Sequence, residues 1–369
     1  VADPARARTY HRWQFRLSLA GFLLSAAYLA GLLATGAAVA LRDRLASLTG
    51  HWWLQLPLAL IALGGAYRLA TLPLSWLAGF WLPRRFGLLH QSFLRWLWDA
   101  AKAAGIGGAL GLAAALTVYG LLRATAWWWL WGALIFFAGY ALLALVAPVW
   151  LAPLFYRLTP LEDRALSDRL LALARRAGVP VLGVWIADQS RKSRTANAAV
   201  TGLGRTRRIL VFDTLIKEFS ADETEAVLAH ELAHHAHWDI WRGLLLQGAL
   251  TLATFWIADQ ALRAGAKALA LAGPADLAGL PLFGLILMAV TVAALPLSNG
   301  WSRHVERQAD DFALETAGQP AAFITAMERL AELNLAEREP HPLKEFFLYS
   351  HPSIGRRVER ARARLRQSG

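Results

Sequence analysis

The chain has 369 residues, 56% of them hydrophobic, a formal net charge of +12 and no cysteine. A soluble globular chain averages roughly 45–50% apolar residues, and the excess here collects in long blocks, which argues against a soluble domain built on one large core. The missing cysteines exclude disulfide frameworks, zinc–thiolate sites and cysteine nucleophiles. The basic residues flank apolar segments, a placement that suits anionic lipid headgroups and the positive-inside pattern rather than nucleic acid. The expected partner is therefore a lipid bilayer, with no nucleic-acid partner.

In chain order, apolar stretches of spanning length, about 20 residues or more, lie at 16–41, 53–82, 103–122, 126–152, 241–262 and 277–298. The first follows the basic stretch Arg6 to Arg16 and is too long, with the wrong flanks, for a cleaved signal peptide. Trp52, Trp53 and Trp81 bracket the second span, and Trp127, Trp128, Trp129 and Trp131 open the fourth, as an interfacial aromatic belt requires. Between spans two and three, residues 84–102 read as an amphipathic helix lying in the interface. Lys and Arg counts near the span ends put the N-terminus and both polar blocks, roughly 156–240 and 301–369, on the cytoplasmic side. The Ala, Leu and Arg bias points to a bacterial source, hence to an inner membrane. Arg68 lies deep in a span and suggests an internal polar chamber, while Asp259 reads as interfacial.

The first polar block opens with Thr159-Pro160-Leu161-Glu162, a capping-box pattern predicting a helix that runs to Ala177 and stops at Gly178 and Pro180. Val181–Ala187 and Arg208–Phe212 read as strands, with Asn197–Thr201 as a third between them. A second capping box, Ser220-Ala221-Asp222-Glu223, starts the next helix.

That helix carries His230-Glu231-Leu232-Ala233-His234. Helical positions four apart share a face, so both imidazoles reach one metal ion, and Glu231 is turned toward a water the metal would activate. This is the H-E-x-x-H pattern of zinc hydrolases. The bland alternative, a solvated face that happens to hold two His and a Glu, is disfavoured by the well-capped helix and its position beside a membrane span. Catalytic zinc takes a third protein ligand and keeps one position open. Glu306 is the best candidate, because the two spans after His234 return the chain to the side it left; His304 competes with it. Asp310, one turn after Glu306, is placed to accept a hydrogen bond from the far nitrogen of a ligand histidine. His235 and His237 read as solvent-facing or packing residues.

These residues carry a resemblance. Arg194 to Gly202 leading into Arg208–Thr214, the zinc motif, and Ser298 to Asp310 are similar to the M48 family of integral-membrane metallopeptidases, in its branch of Ste24-type CAAX prenyl proteases. His351-Pro352-Ser353 with Arg356 and Arg357 is a weaker fourth match. The resemblance implies one Zn2+ per chain on His230, His234 and Glu306, with Glu231 as general base. It implies that Asn197 and Ala198 lie on an edge strand that pairs with an extended peptide, and that His351 stabilises the oxyanion. It implies a membrane all-α bundle of about six transmembrane helices around an internal chamber, with a small α+β zincin-like catalytic domain. Residues 1–155 would form the membrane domain, and 156–369 the peptidase domain including the hairpin 241–298. The family's prenyl proteases carry seven spans; the seventh would precede Val1. Ala198-Ala199 stand where the family often has an aromatic, which bears on the shape of the substrate pocket. The expected substrate is a peptide or membrane protein, prenylated or not. Quality-control proteolysis and a non-catalytic metal-binding membrane protein are the rival readings.

Overall fold

The computed structural model describes residues 4–146, 150–202 and 204–368. The membrane part begins with α1 (Pro4–Ala34) and α2 (Ala37–Leu48), which break at Gly36 with φ 72, a left-handed turn that glycine adopts without strain. The expected single span over 16–41 is thus two helices, the first starting well before it. Next come α3 (Trp52–Trp76), a π-helical turn at Leu77–Trp81 and α4 (Leu82–Arg85), which together form one continuous rod.

The interfacial helix expected over 84–102 is not a separate element. The chain leaves α4 through Gly87, with φ 68, and crosses to the polar part as a loop. There Leu89 bridges Ser193 and His90 N donates to Lys192 O at 2.8 Å. Helix α5 (Phe93–Ala124) then starts and continues directly into the third span. Nothing between residues 93 and 103 breaks a helix, so the apolar span simply extends its amphipathic lead-in.

Helix α6 (Trp128–Val146) is the shorter fourth span; the expected segment ran to 152, and its positions 147–149 lie outside the described residues. Five of the described helices are long and apolar enough to cross a membrane, and α6 is a shorter apolar sixth.

The polar part holds β1 (Leu158–Pro160), α7 (Arg164–Arg176), β2 (Val184–Ala187), β3 (Ala198–Thr201), β4 (Arg208–Phe212), α8 (Asp213–Glu218) and α9 (Ala221–Ala236). The capping box expected at 159–162 is not formed. Thr159 and Pro160 pair with Ile186 and Trp185 as strand, and α7 is capped later, by Asp163 accepting from Leu166 N at 3.0 Å. Strand pairing across the chain outweighs the local pattern. The sheet order is β1-β2-β4-β3, with β2 and β4 parallel and the other pairs antiparallel, so β3 is an edge.

Helix α10 (Asp239–Ala268) leaves for the membrane. Helix α11 (Leu280–Ala317) returns, its 38 residues spanning about 57 Å at 1.5 Å each. It therefore runs as one rod from the far end of the bundle into the polar domain. The chain ends with α12 (Pro320–Leu333), α13 (Pro342–Leu348) and α14 (Ile354–Ser368). One core unites sheet and helices through Leu170, Ile209, Val211, Leu228, Leu232 and Phe323, and it clamps α9 in place. In the membrane, α6 and α10 approach through reciprocal glycines. Gly132 lies under Phe255 and Gly248 under Phe137, the small-residue contact that membrane helices use to pack closely.

Candidate metal centre

Helix α9 starts where the sequence pattern places it. Ser220 Oγ accepts from Glu223 N at 3.2 Å, and Glu223 Oε2 accepts from Ser220 N at 2.8 Å. About three and four turns on, the helix presents His230 and His234 toward α11. Ligand atoms of His230, His234 and Glu306 all lie within 4.8 Å of one another. His230 Nε2 is 3.2 Å from Glu306 Oε2, and His234 Nε2 is 3.7 Å from Glu306 Oε1. Glu306 Oε2 is buried without a well-formed hydrogen bond. Such an atom is costly unless something charged compensates it, and two imidazole nitrogens with one carboxylate are a donor set that suits zinc. The residues therefore fit a metal ion.

Both imidazoles turn their Nε2 atoms to the cluster and their Nδ1 atoms to carboxylates. His230 Nδ1 lies 2.9 Å from Asp310 Oδ1, the relation the one-turn spacing from Glu306 predicts. His234 Nδ1 lies 3.0 Å from Asp239 Oδ2, a contact that no sequence pattern marks. Asp239 opens α10 just after Trp238, whose φ of 61 makes the sharp turn out of α9. A cation holds each carboxylate in turn. Arg357 Nε donates to Asp310 Oδ2 at 2.9 Å and its Nη2 donates to Oδ1 at 2.6 Å, while Arg242 Nη1 donates to Asp239 Oδ1 at 2.9 Å. Arg357 stood in the weak fourth match without a role; only the fold brings it here.

The charges reinforce one another. Burial would raise the Asp310 carboxyl, but Arg357 and His230 hold it well below the ordinary range. Burial and the charge of Arg357 would lower the His230 imidazole, yet Asp310 and Glu306 outweigh them and raise it to about 9. Burial pushes the Glu231 carboxyl up despite the two neighbouring histidines.

His351 Nε2 lies 3.3 Å from Glu306 Oε1, so the weakest of the expected site residues does reach the cluster. His304 does not: it is exposed and sits against Trp301. His235 is buried and donates through Nε2 to Val200 O at 3.0 Å, tying α9 to β3. Asn197 and Arg357 line a cavity of about 340 Å³ together with His230, Glu231 and His351. Asn334 holds the chain just before Asn197 from both sides. Its Oδ1 accepts from Ala196 N at 3.1 Å and its Nδ2 donates to Ala196 O at 3.3 Å.

Helices of spanning length joined to a largely buried His-His-Glu cluster define the class, a multi-pass membrane metallopeptidase. Residues 160–365 match the model of peptidase family M48, and residues 2–157 match that of the CAAX prenyl protease N-terminal region with five membrane helices. The chain belongs to peptidase family M48. It is 30% identical over 298 residues to an uncharacterized metalloprotease, YhfN, of Bacillus subtilis, covering 79% of this chain and 70% of that one. It is 29% identical over 312 residues to CAAX prenyl protease 1 of Saccharomyces cerevisiae, covering 79% and 68%. The crystal structure of S. mikatae Ste24p superposes with a TM-score of 0.85 at 24% identity, over 96% of this chain and 88% of that one.

Proposed function

We propose that the protein is a zinc-dependent endopeptidase with His230, His234 and Glu306 as metal ligands and Glu231 as general base. One observation carries the reading: both Nε2 atoms converge on Glu306 while both Nδ1 atoms are occupied by carboxylates. A zinc ion in that cluster would supply Lewis acidity and lower the pKa of water to about 7. Asp310 and Asp239 accept from the two Nδ1 atoms, which leaves each Nε2 as the nitrogen that would give up its proton to bind the metal. Glu231 takes the proton of the attacking water and passes it to the leaving amine. Its raised pKa suits both roles, because a carboxyl nearer neutrality both accepts and releases a proton readily. His351 stands beside the cluster, where its imidazole would donate to the oxyanion.

The substrate lies along β3. Phe212 N donates to Asn197 O at 3.0 Å, so in this antiparallel register the backbone groups of Ala198 and Val200 point away from β4. Val200 O is taken by His235, which leaves Ala198 O and Val200 N toward an incoming strand. Asn334 holds that edge in register. The relatives named CAAX prenyl protease 1 favour a substrate cleaved near a C-terminus, prenylated CAAX peptides being the first class to try. The charge bias supports a site on the cytoplasmic face, and the Ala, Leu and Arg bias of the sequence supports a bacterial inner membrane.

The test compares purified wild type with Glu231→Gln for metal content and for cleavage of a farnesylated CAAX peptide and of an unfolded membrane protein. The expected result is about one zinc in each protein and a loss of cleavage in the variant of about 10²-fold or more. A variant that cleaves like wild type, or a wild type without metal, overturns the reading. Cleavage of the unfolded protein alone would move the substrate from CAAX processing to quality control.

A further inference from the structure

The metal centre sits at one end of the bundle; a second feature lies at the other. Arg263 follows Asp239 by 24 positions on the unbroken helix α10, a rise of about 36 Å. The hydrocarbon core is about 30 Å thick, so Arg263 reaches the opposite headgroup layer. A cavity of about 950 Å³ opens there. Its wall carries guanidinium groups from three helices, Arg42 on α2, Arg123 on α5 and Arg263 on α10, and one carboxylate, Asp276.

The three arginines are not equivalent. Arg42 is consumed: its Nε and Nη2 contact Asp43, and its Nη1 donates to Asp276 at 2.7 Å. Asp276 is also taken, accepting from Ala272 N and Ala278 N at 2.9 Å. Arg263 is oriented by its Nε, which sits 2.9 Å from both oxygens of Asp259. Asp259 is itself buried and receives Trp128 Nε1 at 2.6 Å. It is therefore a buried support beneath the cavity. The Nη2 of Arg263 donates to Ala126 O at 3.4 Å, and its Nη1 has no partner among the described residues. Arg123 lies over the Trp52 ring at 5.5 Å and makes no hydrogen bond or ion pair among the described residues.

We propose that this cavity binds a phosphate group, carried by an anionic lipid headgroup or free in solution, through the guanidinium of Arg123 and the Nη1 of Arg263. The planar guanidinium fork matches phosphate oxygens bidentately, and Arg is weakly hydrated enough to give up water for it. The aromatic platform under Arg123 and the carboxylate under Arg263 fix both groups before any ligand arrives. The carboxylate in the wall is already satisfied and does not compete for them. The depth is that of a phospholipid phosphate, and the volume admits a headgroup.

The experiment uses the full chain in detergent. Delipidated wild type, Arg123→Gln and Arg123→Lys are titrated with phosphatidylglycerol, phosphatidylcholine or sodium phosphate. Bound lipid is read by native mass spectrometry and stabilisation by thermal unfolding. Unchanged metal content and peptide cleavage show that each variant is folded. Wild type is expected to retain phosphatidylglycerol in preference to phosphatidylcholine, and Arg123→Gln to bind it about tenfold more weakly. Arg123→Lys, which keeps the charge and loses the fork, should fall between. Stabilisation by phosphatidylglycerol but not by sodium phosphate identifies a lipid site. Equal stabilisation by both identifies a free anion. Equal binding by wild type and Arg123→Gln, or no response of wild type to either ligand, overturns the proposal.

Discussion

Asp239 Oδ2 lies 3.0 Å from His234 Nδ1, and Asp239 stands to that histidine as Asp310 stands to His230. The two carboxylates come from different helices, α10 and α11, and each is held by its own arginine. Carboxylates on the outer nitrogen of a ligand histidine set its tautomer and its basicity. Asp239→Ala and Asp310→Ala should each weaken metal binding about 10–100-fold. Competition with a chelator of known affinity measures it. Loss in Asp310→Ala alone would show that the Asp239 contact has no part in holding the metal.

Arg357 and Asp310 form a buried ion pair, with side chains 9% and 2% exposed. Removing one partner of such a pair strands the other charge, at a cost of about 3–5 kcal/mol. Arg357→Ala should therefore unfold at a clearly lower temperature than wild type. The double variant Arg357→Ala with Asp310→Asn should recover part of that loss, because no buried charge is left unpaired. A double variant less stable than either single one would contradict the account.

Metal uptake should be linked to protons. Asp310 and Glu306, working against burial, raise the His230 imidazole of the metal-free protein to about 9. A raised histidine pKa stabilises the metal-free fold below its unfolded value of about 6.5. That contribution fades as the pH rises through the folded value. A ligand nitrogen must be unprotonated, so at pH 7 the metal has to displace a proton from His230. Affinity should rise about tenfold per pH unit between pH 7 and the folded value, reaching a plateau above it. Calorimetry in buffers of different ionisation enthalpy would count the released proton. Affinity independent of pH across that range would show that His230 is already neutral.

The α6–α10 contact depends on a glycine. A Cβ at Gly132 would stand 2.5 Å from Phe255 Cε1, closer than side chains tolerate. Gly132→Val should cost about 1–3 kcal/mol through overpacking, read as a lower unfolding temperature in detergent. The double variant with Phe255→Leu should recover part of the loss.

Hydropathy alone located the membrane segments, because burying about 20 apolar residues in lipid is a property of the segment and not of its neighbours. Helix α9 was equally legible: the capping box at Ser220 and the spacing of His230, Glu231 and His234 are local, and the helix forms as the pattern demands. The four-residue step from Glu306 to Asp310 likewise put both on one face of α11.

What local pattern could not reach, the tertiary structure decided. Strand pairing took Thr159 and Pro160 from the helix their capping box suggests. Docking of the 86–92 loop onto Lys192 and Ser193 divided the expected interfacial helix. Arg357 meets Asp310 across 47 positions and His230 across 127. Asn334 grips Ala196 across 138. Asp239 was near in sequence, five positions from His234, yet a helical reading places positions five apart on different faces. Only the left-handed turn at Trp238 swings it back to the ring. Periodicity and hydropathy record how a segment meets its surroundings. The partners that hold a side chain in place are chosen by packing between segments, and that appears only once the chain is folded.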